Sequence, residues 1–476
     1  MSTDTTNVAH KRLHYIITTV LVFGFGFLPP FSSMTPYGMG VLGTFIGAVY
    51  GWTTIGMVYP SFVAIIGLGM YAGMPKVLAS GFGSPIIVAL FALLPLITIL
   101  DELKLTQYCV NSIFFNRLSK GKPWLTLFLF FLSAFLTAFI NPIVSAVIYC
   151  SFIATICRNA NIEPYTKLPA ALLLGSAYAI MNGQIMFPFL GTGLTFTAAY
   201  AGMFKQEVPV LKYLIFVIPV GIIMIVIYML IMKFILRVDV SALNEYRIDP
   251  NTSTKLTRDQ KIALAFFGIF CTAMLLSSAL PKDFIISQWL NQLTIFGISA
   301  SVICAMMLLR NEQGQQFFNY QNIARKFPWE VFFLTTFIIT ISSYLTAPET
   351  GLGKTLASML VPLTQLPPIL FIIVTMLLAT IITNFANNMI LTIIIMPVLV
   401  QFSGTVGLSE IGMVLLLFLT TQLALATAGG SPITGIAYSM DNLVRAKDMM
   451  SMALKVIPLL FICLMVIGMF FLQIIF

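Results

Sequence analysis

The chain has 476 residues, 59% of them hydrophobic and only 9% charged, with a mean hydropathy of +0.98. A soluble globular chain carries charge on roughly a quarter of its residues, so this composition excludes a soluble fold. The basic excess, 25 Lys and Arg against 16 Asp and Glu, must be explained by where those residues lie.

Apolar runs of about 20 residues recur along the chain, each long enough to cross a hydrocarbon core of about 30 Å. Taken in order, they predict spans over residues 13–30, 36–52, 57–74 and 84–100. An uncharged stretch at 123–157 and a span broken in its middle at 168–204 follow. Further spans are expected at 208–232, 262–281, 291–309 and 328–346. A second uncharged stretch at 369–403, a second broken span at 407–440 and a last span at 450–476 complete the chain. The first run follows Lys11 and Arg12 and lacks a small-residue cleavage site, so it is expected to be retained.

The two uncharged stretches are too long for one span and suit two arms each. Both carry T-x-F-x-N near the middle: Thr137, Phe139 and Asn141 in one, Thr383, Phe385 and Asn387 in the other. Asn is a strong N-cap and Pro is favoured at the first helical position. Asn141-Pro142 therefore reads as the turn of a hairpin and the start of its second arm. Asn387-Asn388 supplies the cap without the proline. A kink in one long helix is the alternative.

Each hairpin is preceded by a mixed segment expected to lie along the interface, at 103–120 and 349–363. Each is followed by a broken span, FLGTGLTFT at 189–197 and AGGSPITG at 428–435. Ser431-Pro432 repeats the Asn-Pro grammar, and Gly191-Thr192-Gly193 supplies flexible backbone. The same order of elements thus occurs twice, joined by a polar linker at 238–261. Counting crossings, the two repeats have opposite orientation, which is the sequence mark of a secondary transporter. The expected fold is an all-α polytopic membrane protein of two inverted-topology repeats, with re-entrant hairpins, broken transmembrane helices and about 11 crossings.

With re-entrant hairpins and a cytoplasmic N-terminus, 20 of the 25 Lys and Arg residues fall inside and 5 outside. This is the bias of the positive-inside rule. The positive charge orients the chain in a plasma or inner membrane, with the C-terminus external, and gives no support to nucleic-acid binding. The two histidines, His10 and His14, precede the first span, so the core holds no catalytic or metal-binding histidine. Six cysteines lie in or beside apolar runs without CxxC spacing and read as small buried hydrophobes. No clustered His, Asp or Glu suggests an enzyme.

Broken backbone at membrane depth survives only inside protein or along a wet cavity. Four half-helices beginning there would offer positive dipole ends to an anion. The carbonyls that end the preceding half-helices suit Na+, and Thr137, Thr383, Asn141 and Asn387 add oxygens. The hairpins and first broken span contain no Lys, Arg, Asp or Glu, which favours Na+ coupling over a buried proton-carrying side chain. Asp101 and Glu102, at a span end, read as structural interfacial carboxylates. The bland alternatives are that Asn387 and Asn388 only bond neighbouring helices and that the threonines bond their own helix.

This order of elements resembles the divalent anion/sodium symporter family of the ion transporter superfamily. Ile140-Asn141-Pro142 and Ala386-Asn387-Asn388 stand where that family has Ser-Asn-Thr, so only the asparagines match. Gly191-Thr192-Gly193-Leu194 and Ser431-Pro432-Ile433-Thr434 occupy the breaks. The resemblance implies a homodimer that moves a small di- or tricarboxylate-like or sulfate-like anion with Na+ by an elevator mechanism. An anion exchanger or cation/proton antiporter of the same superfamily is the alternative. The implied substrate residues are Asn141, Pro142, Thr192, Asn387, Asn388, Ser431 and Pro432. The implied Na+ residues are Thr137, Asn141, Gly191, Thr383, Asn387 and Gly430. A scaffold of 1–102 and 238–346 and a transport domain of 103–237 and 347–476 are carried over.

Overall fold

The computed structural model describes residues 2–114, 121–244, 255–281, 283–345, 347–352, 355, 366–385 and 387–476. These residues form twenty α-helices and no strand. The first six are α1 (Ser2–Gly24), α2 (Pro36–Thr54), α3 (Val58–Ala72), α4 (Met74–Ser80), α5 (Pro85–Glu102) and α6 (Leu105–Phe114). The first hairpin is α7 (Pro123–Thr137) and α8 (Pro142–Asn159); the first broken span is α9 (Lys167–Gly183) and α10 (Gly191–Phe204). Then come α11 (Val210–Leu230), α12 (Arg258–Ala279), α13 (Ile285–Met307), α14 (Tyr320–Ala324) and α15 (Trp329–Leu345). The second hairpin is α16 (Pro368–Thr383) and α17 (Asn388–Val406). The second broken span is α18 (Glu410–Thr420) and α19 (Pro432–Tyr438), and α20 (Ala446–Ile475) ends the chain.

Local sequence sets these starts. Helices α2, α5, α7, α8, α16 and α19 all begin on a proline. Proline's fixed φ suits the first turn, and its missing N–H would be unpaired there anyway. Thr257 and Gln260 close a reciprocal capping box at the head of α12. Six of the described helices are long and apolar enough to cross a membrane. Large apolar side chains such as Val466 and Phe470 point outward, 66% and 59% exposed, as a lipid-facing surface requires.

Both uncharged stretches are hairpins rather than kinked rods. Tyr149 Oη donates to Ser133 Oγ at 2.6 Å, and the two residues lie equally far from Asn141 in sequence. The rings of Phe130 and Phe152 meet with centroids 6.1 Å apart about the same midpoint. In the second stretch Phe371 meets Phe402 at 5.4 Å, again almost equidistant from the tip. Contacts with this symmetry need antiparallel arms.

Outside the two breaks, the expected elements and the helices agree closely, with three differences. The predicted span at 291–309 starts earlier, at Ile285, and carries a backbone break at Thr294 with φ 56°. The region after Ala72 adds α4, a short helix between Gly73 and Gly81. The first interfacial segment is helical as α6, whereas the second, at 349–363, falls mostly outside the described residues.

The packing is crossed between the repeats. Helix α8 of the first hairpin packs on α19 of the second broken span, and α10 of the first broken span packs on α17 of the second hairpin. The two broken spans also meet directly, where Phe196 stacks on Phe418 at 4.3 Å and 5°. One buried cluster gathers the hairpins, the broken spans and α20. A second gathers α5, α12, α13 and the start of α15, and takes in Ile140 and Leu190 from the hairpin tip and the break.

Candidate functional site

Three of the four inner half-helices are capped by the side chain expected to cap them. Asn141 Oδ1 accepts from the Val144 N–H at 3.1 Å. Asn387 Oδ1 accepts from Met389 and Ile390 at 3.0 and 3.3 Å. Ser431 Oγ accepts from Ile433 at 3.2 Å. The fourth, α10, has Leu190 at its N-cap and no side-chain cap. Its start is the one of the four that no side chain caps. Gly191 begins it with φ +46° and no atom within 4 Å of where a Cβ would sit. Gly193 has a different reason to be glycine: a Cβ there would stand 2.0 Å from the Phe187 carbonyl oxygen.

The breaks lie earlier than the small residues suggest. Non-helical backbone runs over 184–190 and 424–431, while 191–197 is already helix. This shift brings in two glutamines that the small-residue pattern passes over. Gln184 Nε2 donates to Gln422 Oε1 at 3.2 Å. Asn388 Nδ2 donates to the same Gln422 oxygen at 2.9 Å, and Thr192 Oγ1 donates to Gln184 Oε1 at 3.3 Å. A continuous polar chain, Thr192–Gln184–Gln422–Asn388, thus joins both breaks to the second hairpin tip. The signal was available: each is the only glutamine of its broken span.

The freed carbonyls of the second break are satisfied from within the protein. Tyr438 Oη donates to the carbonyls of Ala426 and Leu425 at 2.7 and 3.1 Å. Asn384 accepts from the Ala426 N–H at 2.6 Å, and Thr427 Oγ1 donates to the Asn384 carbonyl. Buried polar groups must be paired in this way when water is excluded.

Of the expected cation residues, Thr383 and Gly430 come together. Gly430 lies so close to the Thr383 carbonyl that a Cβ would stand 3.0 Å from it. Thr383 Oγ1 donates to the Thr421 carbonyl at 2.9 Å, so its hydroxyl lone pairs remain available. The first half is arranged differently. Thr137 Oγ1 donates to the Ser133 carbonyl at 2.8 Å, the self-bonding alternative for that threonine. Asn141 Nδ2 donates to Asp101 Oδ2 at 3.2 Å, while Thr192 turns to Gln184. Asp101 is thus more than an interfacial carboxylate: it reaches the tip of the first hairpin. Pro142 and Pro432 begin helices and offer no polar atom but their carbonyls.

A family model described as citrate transporter matches residues 46–421. The chain belongs to the citrate transporter family. That match spans both hairpins and reaches into the second broken span. It identifies a multi-pass membrane transporter, not an enzyme, and a secondary carrier of anions, within the superfamily that the element order resembles. Two solved structures share the fold of this citrate transporter family member. The first is the YdaH transporter of Alcanivorax borkumensis, described as having an unusual topology. It is 13% identical, with a TM-score of 0.54 over 84% of this chain and 88% of that one. The second is MtrF of Neisseria gonorrhoeae, described as illuminating a class of antimetabolite efflux pumps. It is also 13% identical, with a TM-score of 0.52 over 83% of this chain and 84% of that one. No curated protein matches the sequence.

Proposed function

We propose that the protein moves citrate, or a related small di- or tricarboxylate, in symport with Na+. What carries this reading is the crossed packing of hairpins on broken spans. It sets the one uncapped half-helix, α10, against the arm that Asn387 begins. The α10 N–H groups and the Thr192 hydroxyl would receive carboxylate oxygens, as helix starts do. Asn387 would add its Nδ2, which has no acceptor among the described residues. Asn388 and Ser431 would hold the surrounding backbone in register.

Residues 123–157, 168–204, 369–403 and 407–440 contain no Lys or Arg to balance a polyanion; Arg158 and Lys167 stand at the outer ends of α8 and α9, and Glu410 carries the same sign as the substrate. A co-bound cation would balance part of that charge. The Thr383 carbonyl and hydroxyl, with the Gly430 backbone beside them, form an oxygen-rich corner suited to Na+. Transport would follow by an elevator motion of 103–237 and 347–476 against 1–102 and 238–346, in a homodimer with its N-terminus cytoplasmic and its C-terminus external. Exchange or proton coupling is the second reading, favoured by the contact of Asp101 with Asn141.

Uptake of labelled citrate into proteoliposomes tests both. The symport reading expects a Na+ gradient to drive accumulation and Asn387→Ala to abolish it. Accumulation driven equally by a proton gradient or by internal citrate, without Na+, overturns the symport reading.

A further inference from the structure

Asp101 sits in the last turn of α5, half-buried, with Asn141 Nδ2 donating to its Oδ2 at 3.2 Å. The nearby lysine is taken by its neighbour: Lys326 Nζ pairs with Glu102 at 3.3 Å. Asp101 itself hydrogen-bonds an uncharged partner, and the Lys326 charge acts on it only from beyond contact distance. A half-buried carboxylate held by one neutral amide is only partly compensated for lost water.

The same tip is docked beside this bond. Phe139 stacks on Phe267 of α12 at 5.1 Å and 9°, and Ile140 is buried in the cluster shared with α5 and α12. Phe385, the counterpart of Phe139 at the second tip, is instead 73% exposed. Among the described residues, this aromatic dock is therefore particular to the tip that Asp101 holds.

We propose that Asp101 is a tethered carboxylate that competes with the anionic substrate for the Asn141 amide, and that the substrate frees the first hairpin tip by taking its place. The inference rests on the anion-transport reading. The second N–H of Nδ2 can reach a substrate carboxylate only by bringing it beside Asp101, and two anions at one tip repel. A bound substrate carboxylate therefore favours separation of Asp101 from Asn141, and with it release of the tip from α5. The empty carrier stays latched, which limits movement without cargo.

The test uses the purified full-length protein and citrate as the probe. Asp101→Asn keeps an acceptor for Asn141 but removes the charge, and Asp101→Ala removes both. Taking away one like charge a few ångströms from the substrate is expected to tighten citrate binding by about tenfold or more. Tip release is read separately by cross-linking Phe139→Cys to Phe267→Cys in a background with the six native cysteines replaced. Citrate is expected to slow cross-linking in this pair several-fold, and Asp101→Ala to slow it without citrate. Unchanged or weaker citrate binding in a folded Asp101→Asn protein overturns the latch alone. Failure of citrate and other small anions to bind either the wild type or Asp101→Asn overturns the anion reading and the latch with it.

Discussion

Gln184 and Gln422, 238 residues apart, join their carboxamides at 3.2 Å across the two broken spans. Each belongs to a different repeat, so this bond ties the halves at the place where both helices stop. Gln422 also receives Asn388, which makes its oxygen the shared acceptor of the network. Removing it leaves two buried donors, Gln184 Nε2 and Asn388 Nδ2, without their acceptor.

Gln422→Leu is therefore expected to destabilise the folded carrier by about 1–3 kcal/mol, the usual penalty for orphaned buried donors. Thermal unfolding in detergent measures it. A melting point equal to that of the wild type would show that the network is not needed.

Asn387 separates two roles that alanine alone confounds. Asn387→Ala is expected to lose the cap, about 1 kcal/mol, along with the free Nδ2. Asn387→Asp keeps the cap, since aspartate accepts from the same N–H groups, but replaces an amide donor with a negative charge. Its stability should stay near wild type while citrate uptake falls at least tenfold, by the cost of like charge in a half-buried site. Uptake retained in Asn387→Asp would remove Asn387 from the substrate site.

Two glycines predict opposite outcomes. Gly193→Ala drives a Cβ to 2.0 Å from the Phe187 carbonyl oxygen, a backbone atom that cannot step aside. Overpacking of this kind costs about 1–3 kcal/mol. Gly268, inside α12, has no atom within 4 Å of a new Cβ. There alanine should be neutral or stabilising by up to about 1 kcal/mol. Paired melting curves of the two variants check the sign of each.

Tyr149 is fully buried, with its hydroxyl on Ser133 across the first hairpin. Tyr149→Phe is expected to cost about 1 kcal/mol and to loosen the two arms. Hydrogen exchange over 123–159 reads this directly. No change in protection would mean that packing of Phe130 against the ring alone holds the arms together.

Much of this was legible in the linear chain, because bilayer physics leaves few options. A charge-free run of 35 residues with Asn141-Pro142 in its middle has to turn, and N-cap grammar places the second arm to within a residue. The same grammar found Asn387 and Ser431. Where signals were compositional instead of local, they slipped. Glycine and proline mark where a half-helix begins, not where the previous one ends, so these signals place the breaks several residues late and pass over Gln184 and Gln422. The two tips read as equivalents, yet only three-dimensional packing decides that Phe139 is docked and Phe385 exposed.

By itself the sequence determined the class, the helices and their starts, since backbone hydrogen bonds at membrane depth must close within short segments. Partners were a different matter. Which oxygen meets which amide, Asp101 with Asn141 or Gln184 with Gln422, depends on helices far apart in the chain crossing at one point. Side-chain packing sets that crossing, and no local rule encodes it.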